Sequence, residues 1–172
     1  MTQILHNRAY IDNANLYQGC LREGFQVDYS KLLGFLQSHY AVQDAFIFTG
    51  YISANESIYA QLQKLGYRLI FREVTHGAHG ISKGNCDADL VVASMSDYYE
   101  KRFDKAVLVS SDGDFVSLVK FLAERNAFAS ILSPSGIRNC STLLKSVGVV
   151  IEYLPALQQA IRYEKPPLRS RP

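Results

Sequence analysis

Aspartates in this chain gather where an apolar run ends and a helix is about to begin. Ala106-Val107-Leu108-Val109 leads into Ser110-Ser111-Asp112-Gly113-Asp114-Phe115. Arg8-Ala9-Tyr10-Ile11 leads into Asp12, with Asn13 and Asn15 just beyond it. Asp87 and Asp89 follow Lys83-Gly84-Asn85-Cys86. Carboxylates held close together repel one another and favour protonation, and the usual stabiliser of such a group is a divalent cation. Three acidic clusters at three element junctions point to a metal-dependent site that acts on phosphate.

Each acid also has a plainer structural role open to it. An Asp between a strand and a helix often caps the helix by accepting hydrogen bonds from its free N–H groups. Ser110 and Ser111 could do this in place of Asp112, and one cap does not require both Asp112 and Asp114. Asn13 and Asn15 could likewise replace Asp12 as a cap, and its position at the end of a buried strand favours a ligand role. Asp87 and Asp89 are two residues apart, about 200° of helical rotation, so only one of them can face the same edge. Asp87 is assigned to the site, with Asp89 second to it. Lys83, beside this cluster, is either a surface lysine or a group that holds a substrate phosphate. Ser110, Ser111, Asn15 and Tyr51 complete the candidate substrate-binding set, Tyr51 as a ring on which a base could stack. His76 and His79 lack a cysteine or carboxylate at ligand spacing, which argues against zinc.

Apolar runs and helical patterns alternate along the chain, the signature of an α/β fold. Strands are expected at 9–12, 45–48, 68–74, 105–110, 128–132 and 149–152. Helices are expected at 16–23, 29–39, 56–65, 87–100, 115–125 and 137–145, with Gly66 as a C-cap. The run 68–74 is interrupted by charges and belongs at a sheet edge. Residues 75–85 are glycine-rich and read as a long, mobile loop. The other strands lack polar alternation, as expected of a parallel sheet covered by helices on both faces. Ligands bind such sheets at the carboxyl ends of the strands, where the strand order reverses. Asp12 and Asp112 both sit at carboxyl ends, so the topology brings acids from distant parts of the chain to one edge.

With 172 residues, 48% of them hydrophobic, the chain fits one domain over 1–163 followed by a basic tail over 164–172. Arg162, Lys165, Arg169 and Arg171 carry that basic character. A net charge of +2 is too small to argue for nucleic acid by itself. No run approaches the ~18 apolar residues of a membrane span, and the start of the chain lacks the pattern of a signal peptide. Three widely separated cysteines fit no disulfide framework and suggest a cytoplasmic protein. Neither a GxxxxGK[ST] loop nor a GxGxxG turn is present. Aspartyl phosphatases need a second Asp two residues after the first, where this chain has Ala14.

The ordered triple of Tyr10-Ile11-Asp12-Asn13-Ala14-Asn15-Leu16, Lys83-Gly84-Asn85-Cys86-Asp87-Ala88-Asp89-Leu90 and Leu108-Val109-Ser110-Ser111-Asp112-Gly113-Asp114-Phe115 resembles the NYN domain family, the LabA-like branch of the PIN-like nuclease superfamily. The resemblance covers about 8–150. It implies a PIN-like three-layer α/β/α sandwich with a central, mostly parallel sheet, and a ribonuclease that cuts single-stranded or structured RNA with Mg²⁺ or Mn²⁺. Carried over, the catalytic and metal-binding acids are Asp12, Asp87, Asp112 and Asp114, with Asn15 as a polar neighbour. Ser111 stands where relatives more often have glycine. A non-catalytic RNA- or nucleotide-binding module with the same pocket is the alternative, and a homo-oligomer is compatible with either.

Overall fold

The computed structural model describes residues 5–72, 76–77, 80–81 and 86–165. Strand β1 (Asn7–Asp12) is followed by helices α1 (Asn13–Arg22) and α2 (Tyr29–Tyr40). Next come β2 (Val42–Gly50), α3 (Glu56–Leu65) and β3 (Tyr67–Arg72). A short antiparallel pair, β4 (His76–Gly77) and β5 (Gly80–Ile81), precedes α4 (Asp87–Tyr99). The chain then runs through β6 (Ala106–Val109), a 3₁₀ turn at Gly113–Phe115, α5 (Val116–Glu124) and β7 (Phe128–Ser133). It finishes with α6 (Thr142–Lys145), β8 (Ile151–Tyr153), a 3₁₀ turn at Leu154–Leu157 and α7 (Gln158–Ile161).

Six strands form the main sheet in the order β3-β2-β1-β6-β7-β8, and every pairing in it is parallel. The chain moves outward from β1 to β3, then returns to the other side of β1 and moves outward again to β8. The strand order therefore reverses between β1 and β6, and a crevice opens there at the carboxyl ends.

Side-chain alternation along the strands feeds two cores. Ala9, Ile11, Ile47, Val107 and Val109 pack with Leu16, Leu32, Leu36 and Leu62 of α1, α2 and α3. Tyr10, Phe48, Leu108 and Ile131 pack with Leu90, Leu118, Leu122 and Leu144 of α4, α5 and α6. Apolar side chains leave both faces of the sheet, so its strands read as nearly unbroken hydrophobic runs. β3 lies at an edge, as its charges predict, and Arg68 and Arg72 remain exposed there.

The elements differ from expectation at several points. The helix expected over 137–145 is confined to Thr142–Lys145, because 136–141 form turns held by distant partners. The C-terminal helical segment 154–161 was not anticipated, although Pro155 in its first turn is a helix-start signal. Within the glycine-rich span 75–85, the described part is the β4–β5 pairing, and the rest lies outside the described residues. So do His79, Lys83, Arg169 and Arg171, while His76 is described in its backbone alone. No helix among the described residues is long and apolar enough to cross a membrane.

β1 starts earlier than its apolar run because polar partners reach it from elsewhere. Asn7 donates to the Tyr40 carbonyl at 2.6 Å and accepts from Lys105 N at 3.0 Å. Arg8 is buried and bridges Asp44 of β2 at 3.0 Å and Asp97 of α4 at 2.9 Å. Asp97 also accepts from the Tyr10 hydroxyl at 2.7 Å and pairs with Arg102 at 3.2 Å. Burial, followed by the bond to Asp97, raises the Tyr10 phenol far above its ordinary pKa, so it remains a donor. Removing one partner of a buried pair leaves the other charge uncompensated, typically at about 3–5 kcal/mol. Asp97→Ala is expected to lose about that much stability in urea unfolding, and a loss below about 1 kcal/mol would show that Asp44 alone satisfies Arg8.

Candidate metal centre

The reversal point lies between Asp12, at the end of β1, and Asp112, three residues beyond the end of β6. In the register of the two strands Tyr10 lies opposite Leu108 and Ile11 opposite Val109. Asp12 caps α1, its Oδ1 accepting from Asn15 N at 3.1 Å. Asp112 caps the 3₁₀ turn, its Oδ1 accepting from Asp114 N at 3.0 Å. Both acids thus fill the structural role open to them, and a cap of this kind engages one oxygen of each.

Asp87 opens α4 and faces the same crevice. One carboxylate oxygen from each of Asp87, Asp112 and Asp114 lies within 4.8 Å of the others, a grouping that could hold a metal ion. Asp12 is set deeper, 9% exposed, against this group. Burial pushes its carboxyl up to about 6, and the Asp87 and Asp112 carboxylates add to the rise. The bonds from Asn15 N and Ser110 Oγ oppose it. Such a carboxyl is short of positive charge, so a hard divalent cation fits this donor set.

Serines hold the turn in place. Ser110 Oγ donates to Asp12 Oδ2 at 3.3 Å and accepts from Asp112 N at 3.2 Å, tying the two strand ends together. Ser111 donates to Asn15 Oδ1 through its N–H at 2.9 Å and its hydroxyl at 2.8 Å. The Ser111 hydroxyl also meets that of Ser135 at 3.2 Å. Both serines are buried and their hydrogen bonds run inward. Gly113 has no positive φ; its lack of a side chain matters because a Cβ would lie 2.5 Å from Ser141 Oγ. Ser141 N in turn donates to the Ser111 carbonyl at 3.1 Å.

The remaining candidates are arranged around this centre. Asp89 faces away, half-exposed, with Arg72 at 4.0 Å, as the helical rotation requires. Asn13 also turns aside, accepting from the Tyr29 hydroxyl at 2.6 Å. Tyr51 is partly exposed beyond β2, edge-on to Phe71 with ring centres 5.5 Å apart, and its hydroxyl donates to Glu56. Lys83 lies outside the described residues. Sequence reasoning missed Ser135 and Ser141, although the Pro134-Ser135-Gly136 run after β7 marked a turn at the same edge.

The family model described as "NYN domain" matches residues 9–147, most of the chain. The chain belongs to the NYN domain family. The matched span contains all four acids of the crevice and the strands that deliver them, in keeping with a PIN-like α/β fold. NYN domains are generally nucleases, and PIN-like nucleases use divalent metals. No curated protein matches the chain. Among solved structures, a protein of unknown function from Vibrio parahaemolyticus superposes with a TM-score of 0.72 at 19% identity. That match covers 90% of this chain and 95% of the other, and it supports the shared fold.

The raised Asp12 carboxyl has a defined effect on stability. Its pKa is about 6 in the fold, against 3.8 for the ordinary group, so between these values the folded state binds more protons than the unfolded one. Stability of the metal-free protein therefore falls as pH rises from about 4 to about 6, by roughly 2–3 kcal/mol in all. Asp12→Asn keeps a capping oxygen and removes the charge. Differential scanning fluorimetry in chelator is expected to show this variant melting several degrees higher than wild type at pH 7.5, with the gap closing below pH 4. An equal gap at both pH values would mean that Asp12 ionisation is not its source.

Proposed function

We propose that this NYN domain is a metal-dependent phosphodiesterase that cleaves RNA, with Mg²⁺ or Mn²⁺ held by Asp12, Asp87, Asp112 and Asp114. The observation that carries this reading is the convergence of Asp87, Asp112 and Asp114 within 4.8 Å, from separate parts of the chain, against a buried Asp12. Bound ions of this class supply an activated water and neutralise charge on the scissile phosphate. Asp112 and Asp12 each keep one oxygen on a backbone N–H, which fixes the direction in which the second is presented. Ser110 Oγ bridges the Asp12 carboxylate and the Asp112 backbone N–H, so the two strand ends that carry the acids are held together.

Asn15 uses its carbonyl oxygen for Ser111, which orients its amide NH₂ as a donor for a phosphate oxygen or a water at the crevice. Tyr51 offers a ring to a base further along the strand. Among the described residues no histidine or serine at a strand end is arranged as a nucleophile, so direct attack by water is the simplest course.

Purified protein is incubated with 5′-labelled single-stranded RNA in Mn²⁺, Mg²⁺ or chelator, beside Asp112→Asn. The Asn variant retains the cap oxygen and so the fold. Outer-sphere changes alone cost metal enzymes about 10–100-fold, so loss of a direct ligand is expected to reduce cleavage by more than about 100-fold. Undiminished cleavage by Asp112→Asn would remove this site from the reaction. Intact RNA in every lane with metal still bound would favour the non-catalytic binding module.

A further inference from the structure

The acid crevice is anionic, and a polyanionic strand needs positive charge beside it in addition to whatever ion the acids hold. Such charge stands on the β7 side. The segment between β7 and α6 is tied at both ends to the turn that carries Asp112 and Asp114. At one end the Ser135 hydroxyl meets that of Ser111 at 3.2 Å. At the other, Ser141 N donates to the Ser111 carbonyl at 3.1 Å, and Ser141 Oγ occupies the space that a Cβ on Gly113 would need. Leu143 lies over the same glycine and is 56% exposed.

Between these ties the chain makes a compact turn, with Asn139 N and Cys140 N both donating to the Gly136 carbonyl. Glu23, which follows α1, braces it from below, accepting from Gly136 N at 2.8 Å and Asn139 Nδ2 at 3.2 Å. Lys145 Nζ donates to the Ile137 carbonyl at 2.9 Å. Glu23 is thus occupied by neutral donors. Arg138 at the crest of the turn is exposed, and neither Arg138 nor Lys145 has a carboxylate partner among the described residues. One cation stands on a braced turn and a second at the end of α6, bonded to that turn. Both lie on a segment tied to the acidic turn, without a carboxylate partner among the described residues, and are arranged for a partner from outside.

We propose that Arg138 and Lys145 form a phosphate clamp that holds a single-stranded RNA backbone beside the acid crevice, at a phosphate flanking the one to be cut. The clamp rests on the reading of the crevice as an RNA-cleaving site and adds the residues that orient the strand across it. Arg138 presents a guanidinium fork suited to a phosphate, while Lys145 acts as a point charge. Ile137, 62% exposed, and Leu143 provide aliphatic surface beside them for a sugar or a base edge.

The test is fluorescence anisotropy of a 5′-labelled single-stranded RNA in Mg²⁺ at 50–300 mM salt. It uses Asp112→Asn protein as the parent, so that cleavage does not interfere. Each phosphate contact to a single strand contributes about 0.7 to the slope of log affinity against log salt. Adding Arg138→Ala or Lys145→Ala is expected to reduce the slope by about 0.7 each, and to weaken binding about 5-fold at 0.1 M salt. Arg138→Lys should restore most of the slope, and Lys64→Ala on α3 should leave it unchanged. A parent that binds RNA, with slopes unchanged in both alanine variants, would overturn the clamp and leave the hydrolase reading standing. A parent that binds no RNA at 50 mM salt would overturn the clamp, and RNA cleavage by wild type would then decide the fate of the hydrolase reading separately.

Discussion

Parallel pairing of β1 with β6, fixed by the Tyr10–Leu108 and Ile11–Val109 register, is the constraint from which the functional edge follows. A slip of one residue would turn every side chain of β1 to the other face, exchanging Ile11 and Tyr10 between the two cores. That hydrophobic penalty is what holds Asp12 beside the Asp112 turn despite the repulsion between their carboxylates. The Ser110 hydroxyl then bonds across the two strand ends, and Ser111 fastens the turn to α1 through Asn15. Apolar packing thus sets the coarse position of the acids, and hydroxyl bonds set the fine one.

α4 links the two ends of the molecule. Its first turn carries Asp87 into the crevice, and near its other end Asp97 meets Arg8 and Tyr10 at the start of β1. A helix of 13 residues anchored at its foot by buried charge and packed along its length through Leu90 has little freedom to slide. The position of Asp87 therefore depends on interactions almost a full helix length away. Buried ionic contacts are weak evidence for net stability, but they do specify one arrangement over its neighbours in some proteins, and that is the role the Arg8 network is placed to perform here.

Much of this was legible in the chain because parallel strands announce themselves as short apolar runs, and because Asp12 and Asp112 stand where such runs stop. The charges within 67–72 revealed an edge strand for the same reason, since a central strand would not tolerate Arg68 and Arg72. Helical geometry showed that Asp87 and Asp89 cannot share a face, and it is Asp87 that the fold groups with Asp112 and Asp114. What could not be read depended on partners far along the chain. Asn7 and Arg8 look too polar for a strand until Tyr40, Asp44 and Asp97 are in place. Residues 137–141 have helical potential, but Glu23 and Ser111 draw them into turns instead. Gly113 has no positive φ, and what it supplies is room for Ser141. Nothing local records that contact.

The outer flank of β3 has a consequence for how the molecule behaves among its own copies. An edge strand leaves one row of N–H and C=O groups without a neighbour, which invites a stray strand to extend the sheet and begin aggregation. Arg68 is fixed by Asp44 at 2.8 Å and lies over the Phe46 ring, while Arg72 is drawn towards Asp89. Arg68 thus leans over the sheet face towards β2, and Arg72 stands at the carboxyl end of the edge strand. A strand docking there would have to displace or desolvate these paired charges, so the same residues that fasten β3 to the domain also make its open edge costly to extend.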